Sequence, residues 1–157
     1  MSTYILAHDL GTSGNKATIF DMNGKLCASV VHEYPTFYPN TNWVEQDADL
    51  WWEAVCVSTA KLLAQASLKS SDIACVCFSG QMMGCLAVDS VGNPLRKSII
   101  WADQRGTKQA DFMQKKIGVH NVYTITGHRI SPSYSAAKIL WISAACRLSS
   151  QSTGSKR

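Results

Sequence analysis

Asp9-Leu10-Gly11-Thr12-Ser13-Gly14-Asn15-Lys16 brings a carboxylate, two glycines, two hydroxyls and a cation together between two apolar stretches near the N-terminus. These residue types, so closely spaced, are suited to holding phosphate. Gly11 and Gly14 permit tight backbone geometry and the close approach of a ligand. Thr12 and Ser13 add hydroxyl donors beside backbone N–H groups, and Lys16 supplies a cation to offset phosphate oxygens. Asp9 is the odd member, because a carboxylate beside a polyphosphate repels it unless a metal ion intervenes. It therefore points to Mg²⁺, bound directly or through water. The octapeptide also has a plain alternative reading, as a glycine-rich hairpin with its polar residues in solvent.

The elements that must position this octapeptide follow from the apolar pattern. Tyr4 to His8 and Ala17 to Phe20 read as paired strands with residues 9 to 16 as the hairpin tip, Asp21-Met22-Asn23-Gly24 as a turn, and Leu26 to Glu33 as a third strand. Asp47 is a candidate N-cap for an amphipathic helix over 48 to 66, with Trp52, Val55, Cys56, Thr59, Leu62 and Leu63 recurring at helical spacing. Ile73 to Phe78, Cys85 to Val88 and Ser98 to Ile100 read as further strands, with helices over 106 to 117 and from Ser135 to Ile142. A three-strand antiparallel meander followed by helix and strand units implies an α/β sandwich with a mixed sheet. In such sheets ligands gather at strand ends, so the polar loops 9 to 16, 79 to 84 and 101 to 105 are expected to line one cleft.

Composition narrows the function classes. At 157 residues and 46% hydrophobic content, the chain is long enough for one domain with a core. No apolar run reaches bilayer-spanning length and no signal peptide opens the chain, so a cytoplasmic location without membrane contact is the default. The net charge of +4 is concentrated at the end, where Arg147, Lys156 and Arg157 face no acid, and the remainder carries only +1. No basic stripe interleaved with aromatics marks a nucleic-acid partner. The six cysteines sit mostly in apolar stretches, where a free thiol acts as a small hydrophobe, and none has metal-knuckle spacing.

Further motifs follow the octapeptide in order: Trp43-Val44-Glu45-Gln46-Asp47 with Trp51-Trp52, Ser79-Gly80-Gln81-Met82-Met83-Gly84, Trp101-Ala102-Asp103-Gln104-Arg105, Thr126-Gly127, Pro132, and Lys138-Ile139-Leu140-Trp141. With Asp9 to Gly14 and Lys16, this series resembles the FGGY carbohydrate kinases over roughly residues 4 to 141, most nearly their xylulokinase branch. The resemblance implies a ribonuclease H-like, actin-like ATPase fold and transfer of the γ-phosphoryl group of ATP to a hydroxyl of a sugar or polyol, a pentulose in the xylulokinase case. It implies that Gly11, Thr12, Ser13, Gly14 and Lys16 lie against the ATP phosphates while Asp9 organises Mg²⁺. It also implies that Gln81, Met82, Met83, Trp101 and Asp103 form the sugar side, with Trp101 against an apolar sugar face and Asp103 accepting hydroxyl hydrogen bonds.

Structural readings of the same residues stand beside these roles. Met82 and Met83 could fill core space, as could Trp101 together with Trp51, Trp52 and Trp141. Asp103 and Arg105 could form a surface ion pair, and Trp43 to Trp52 could fix loop and helix packing. His32, His120 and His128 are isolated from partners at catalytic or metal spacing.

The chain departs from the family pattern at three places. His8 occupies a usually apolar strand position and must find a hydrogen-bond partner or face the cleft. Met83 stands where xylulokinases commonly have histidine, which leaves another ketose or pentitol open as substrate. After Ile142 the likeness ends, so residues 1–142 read as part of the family's N-terminal domain and 143–157 as a polar, disordered tail. The family's general base and most of its adenine surface come from later sequence, so this chain alone is expected to be inactive, completed by an oligomer or a C-terminal domain. The competing expectation is a non-catalytic sugar-binding or interaction remnant of such a kinase, with apolar surface left uncovered.

Overall fold

A computed structural model describes residues 3–153, the side chains of 146–153 excepted. In chain order the elements are β1 (Tyr4–Leu10), β2 (Gly14–Asp21), β3 (Leu26–Glu33), β4 (Glu45–Gln46), α1 (Ala48–Gln65), β5 (Ile73–Gly80), β6 (Ser98–Ile99), α2 (Thr107–Lys116), α3 (Val119–Thr126) and α4 (Ser135–Thr153). They form two compact units, Met1–Thr36 with Asp47–Gln81 and Phe37–Gln46 with Met82–Arg157. No helix among the described residues is long and apolar enough to cross a membrane.

The first unit is a sheet of order β3-β2-β1-β5, antiparallel across the meander and parallel between β1 and β5. This is the mixed sheet expected from the order of elements. Alternation sends Leu6, His8, Asn15, Ala17 and Ile19 inward, where Leu6, Ala17, Ile19 and Ala28 meet Leu62 of α1 in the core. Asp47 caps α1 as anticipated, its carboxylate accepting the Asp49 N–H at 3.2 Å.

The buried stripe of α1 is Ala54, Val55, Ser58 and Leu62, so the expected inner face is shifted about one position round the helix. Trp52 is 66% exposed and Cys56 is exposed, which corrects their expected core placement. Small Ala54 and Ser58 bring the α1 backbone close to β2, which large side chains on that stripe would prevent. The cysteines behave likewise: Cys27, Cys56, Cys75 and Cys77 are exposed rather than buried hydrophobes, the last two on β5, where every residue after Ile73 is exposed.

In the second unit β4 pairs with β6, and Cys85 and Val88 make single bridges to Ile99 and Pro94 in place of the expected strand over 85 to 88. Val44, Ile99, Ile100, Ala110, Val122 and Ala137 are buried there. α2 packs on α4, and Gly106 lies so near Ala137 that an added Cβ would meet its Cβ at 3.1 Å. α3, absent from the sequence reading, ends at Gly127, whose φ of 69° suits glycine and whose N–H bonds to the Tyr123 carbonyl at 2.8 Å. The helix expected from Ser135 to Ile142 is longer: α4 continues through Thr153, since Ala144-Ala145-Cys146-Arg147-Leu148 holds no helix breaker. Residues 154–157 of the expected tail lie outside the described residues.

Candidate functional site

The hairpin tip is shorter than the octapeptide. β1 and β2 extend to Leu10 and Gly14, leaving Gly11-Thr12-Ser13 as the connection and placing Asp9 directly across from Lys16. Both are exposed, on the face opposite His8 and Ala17. The Leu10 carbonyl accepts the Gln81 N–H at 3.0 Å, and the Gly11 carbonyl accepts the Tyr34 hydroxyl at 2.5 Å and the Gln81 side-chain amide at 3.5 Å. The Ser13 carbonyl accepts the Tyr34 N–H at 3.4 Å. With its carbonyls drawn into the protein, the tip carries fewer dipoles opposed to an anion.

Gly11 and Gly14 have different reasons to be glycine. The Gly11 N–H is committed to the Gly14 carbonyl at 3.0 Å, so it is not a free phosphate donor. A Cβ on Gly14 would stand 2.6 Å from the His32 carbonyl oxygen and 2.9 Å from Glu33 Cα, so β3 rather than a ligand requires this glycine. Tyr34, which the sequence reading passed over, closes the site from the end of β3. Burial first and the Asp9 charge second push its hydroxyl up to about 12, keeping the proton that it donates to Gly11.

His8 finds the partners that its buried position demands. The Asn15 amide donates to His8 Nδ1 at 3.0 Å, so the ring proton sits on Nε2, which donates to Thr59 Oγ1 at 3.3 Å. Asn15 also donates to Ser58 Oγ at 2.7 Å, and the Ser58 and Thr59 hydroxyls return to α1 carbonyls at 2.6 and 2.8 Å. This network ties the root of the hairpin to α1.

Gln81 belongs to the unit of the hairpin, whereas Met82, Met83, Trp101 and Asp103 belong to the second unit. Met82 is 75% exposed and Trp101 42% exposed, so neither is the core residue of the alternative reading. Met83 has φ 62°, a conformation a non-glycine residue adopts only where its surroundings hold it. Met82 and Met83 line a cavity of about 450 Å³ with Tyr134, Ser131, His128 and Arg129. Tyr134 has no motif in the sequence to mark it, and the His128 ring, far from isolated, lies tilted against it at 5.3 Å.

The surface placement of the Asp103–Arg105 pair requires a correction. Asp103 is fully buried, with Oδ1 bonded to the Arg105 N–H at 2.9 Å and Oδ2 to the Val44 N–H at 2.6 Å, while the Arg105 guanidinium spans both oxygens at 2.7 to 2.9 Å. The pair is thus not on the surface, and the oxygens expected to accept sugar hydroxyls are already engaged. Arg105 also pairs with Glu45 at 2.7 Å and lies over the rings of Trp43 and Trp141 at 4.0 and 5.0 Å. Trp43, Glu45, Asp103 and Trp141 therefore meet around the Arg105 guanidinium, the two carboxylates buried and the two indoles half-buried.

A glycerol kinase of Trichormus variabilis is 37% identical over 142 residues, which are 90% of this chain and 28% of the relative. A xylulose kinase of Bacillus subtilis is 32% identical over 139 residues, 88% of this chain and again 28% of the relative. The solved gluconate kinase of Lactobacillus acidophilus superposes with a TM-score of 0.83 at 28% identity, over 91% of this chain and 28% of that one. The chain thus spans little more than a quarter of these relatives, whose fold is that of the actin-like sugar kinases. Residues 4–151 match the N-terminal domain of a single family, past the point where the motifs run out, and the chain belongs to the FGGY family of carbohydrate kinases.

Proposed function

We propose that this chain supplies the phosphate hairpin and part of the acceptor site of an ATP-dependent kinase acting on a hydroxyl of a sugar or polyol. The family match over residues 4–151 carries this reading. Thr12, Ser13, Gly14 and Lys16 meet the ATP phosphates, while Tyr34 and Gln81 hold the tip in shape through the Gly11 carbonyl. Trp101 and the Met82-Met83 pair take the acceptor, and Asp103 acts indirectly by fixing Arg105 and the segment after β6.

Asp9 fits Mg²⁺ as a single exposed carboxylate. One carboxylate suits an ion that keeps waters and arrives with polyphosphate. Bound there, Mg²⁺ would offset charge on the β and γ oxygens, while the chain's own residues align the phosphates.

Glycerol, xylulose and gluconate are the acceptors to try first, given the relatives' activities. At least one is expected to shift the methyl NMR signals of Met82 and Met83, and no shift with any of them overturns the acceptor site. ADP release from ATP and Mg²⁺ is expected to stay at background for the isolated chain, because the chain spans 28% of those relatives. Turnover at ordinary kinase rates would refute that expectation. A second reading, a non-catalytic interaction module, draws on the exposed apolar residues Val76 and Phe78 of β5.

A further inference from the structure

Lys138 is the largest fully buried side chain among the described residues. An enclosed ammonium needs acceptors, and here they are main-chain oxygens: Lys138 Nζ donates to the Met83 carbonyl at 2.7 Å and to the Ser133 carbonyl. One turn earlier Ser135 Oγ donates to the Gly84 carbonyl at 2.9 Å. The start of α4 thus grips two consecutive carbonyls of the Met83 turn, whose left-handed conformation must be imposed from outside. The Ser133 end is equally placed, because Ser131 and Tyr134 beside it line the same cavity as Met82 and Met83.

We propose that Lys138 is the positioning residue of this cavity, its ammonium tying the Met83 turn to the Ser133 turn and so setting the spacing of the walls that receive the acceptor. The proposal rests on reading the cavity as the sugar or polyol site. Lys138 itself touches no acceptor. A methionine would occupy similar volume without any call on backbone oxygens, so packing alone does not explain a lysine here.

The charge of the group supports the geometry. Burial pushes the Lys138 ammonium down to about 8, against Asp103 and Cys85, which favour the charge, while Arg105 opposes it. Below that value two charge-assisted bonds hold the turns; above it they become weaker bonds from a neutral amine.

The test compares the chain with Lys138→Met by NMR. Expected are a variant that folds by circular dichroism, a Met83 backbone coupling that leaves its left-handed value, and acceptor affinity lower by about tenfold or more. In the unsubstituted chain the Met83 amide and the Lys138 side-chain carbon next to Nζ should titrate together near the same pH, about 8. A variant that keeps both the coupling and the affinity overturns the proposal. Should Lys138→Met not fold, a Met83 amide that ignores the Lys138 titration overturns it instead. If no acceptor shifts the Met82 and Met83 methyls of the unsubstituted chain, the acceptor reading fails, and the Met83 coupling in the variant still decides whether Lys138 positions the turn.

Discussion

At residue scale, His8 couples the hairpin to solution pH. Its Nδ1 is an acceptor for Asn15, and the neighbouring Asn15 nitrogen is also committed to Ser58, so a second ring proton would face a donor. Burial holds the His8 pKa below its ordinary 6.5. The unfolded chain therefore binds this proton at higher pH than the folded chain does. Stability from the neutral ring is complete above pH 6.5 and is lost as pH falls from there through the folded value. Thermal unfolding followed from pH 7.5 to 5 should show a falling midpoint, and His8→Leu should remove part of that slope while lowering stability at neutral pH by leaving one Asn15 N–H without its acceptor. An unchanged slope in the variant would show that other groups carry the pH dependence. The sequence made the need for a partner plain; it could not name Asn15 and Thr59, because strand alternation and helix rotation jointly decide which polar groups meet.

Element scale explains which parts of the site could be read in advance. The meander, α1 with its Asp47 cap, and β5 are local patterns, and alternation or a single capping residue marks each. The inward stripe of α1 was misplaced because hydrophobicity favours Trp52 and Cys56, whereas close approach to β2 favours Ala54 and Ser58. The two tip glycines show the same limit, being identical letters under different constraints. Gly14→Ala forces its Cβ into the β3 backbone and should cost about 1–3 kcal/mol in denaturant unfolding, as overpacking does. Gly11→Ala meets only the Gly14 carbonyl oxygen at 3.4 Å, an ordinary contact, and should leave stability almost unchanged. Equal losses in the two variants would mean that the tip, not the β2–β3 pairing, sets the requirement.

For the whole molecule, ordered motifs identified the family but not which motif residues meet. Trp43 and Glu45, Arg105, and Trp141 come from three separate motifs, yet the two rings and the carboxylate meet on the Arg105 guanidinium, and a one-dimensional series carries no sign of that convergence. Lys138 did leave a readable trace, a lone cation between Ala136, Ala137, Ile139 and Leu140, yet its carbonyl partners lie 55 and five residues away. The last consequence concerns β5, an edge strand with no charged residue from Ile73 to Gly80, where Val76 is 50% and Phe78 56% exposed. Natural edge strands are usually shielded by charge, a bulge or a covering segment, and an unshielded one pairs with whatever strand is offered. The chain in isolation is therefore expected to self-associate, with an average mass by light scattering that rises with concentration. The measurement belongs under reducing conditions, so that Cys75 and Cys77, also exposed on this strand, cannot mimic it through disulfides. Val76→Lys sets a charge on the strand and should shift the association to higher concentration without lowering thermal stability, since half of that side chain is already in water. A chain that stays monomeric throughout would mean that backbone edge and apolar surface together are too small to drive pairing.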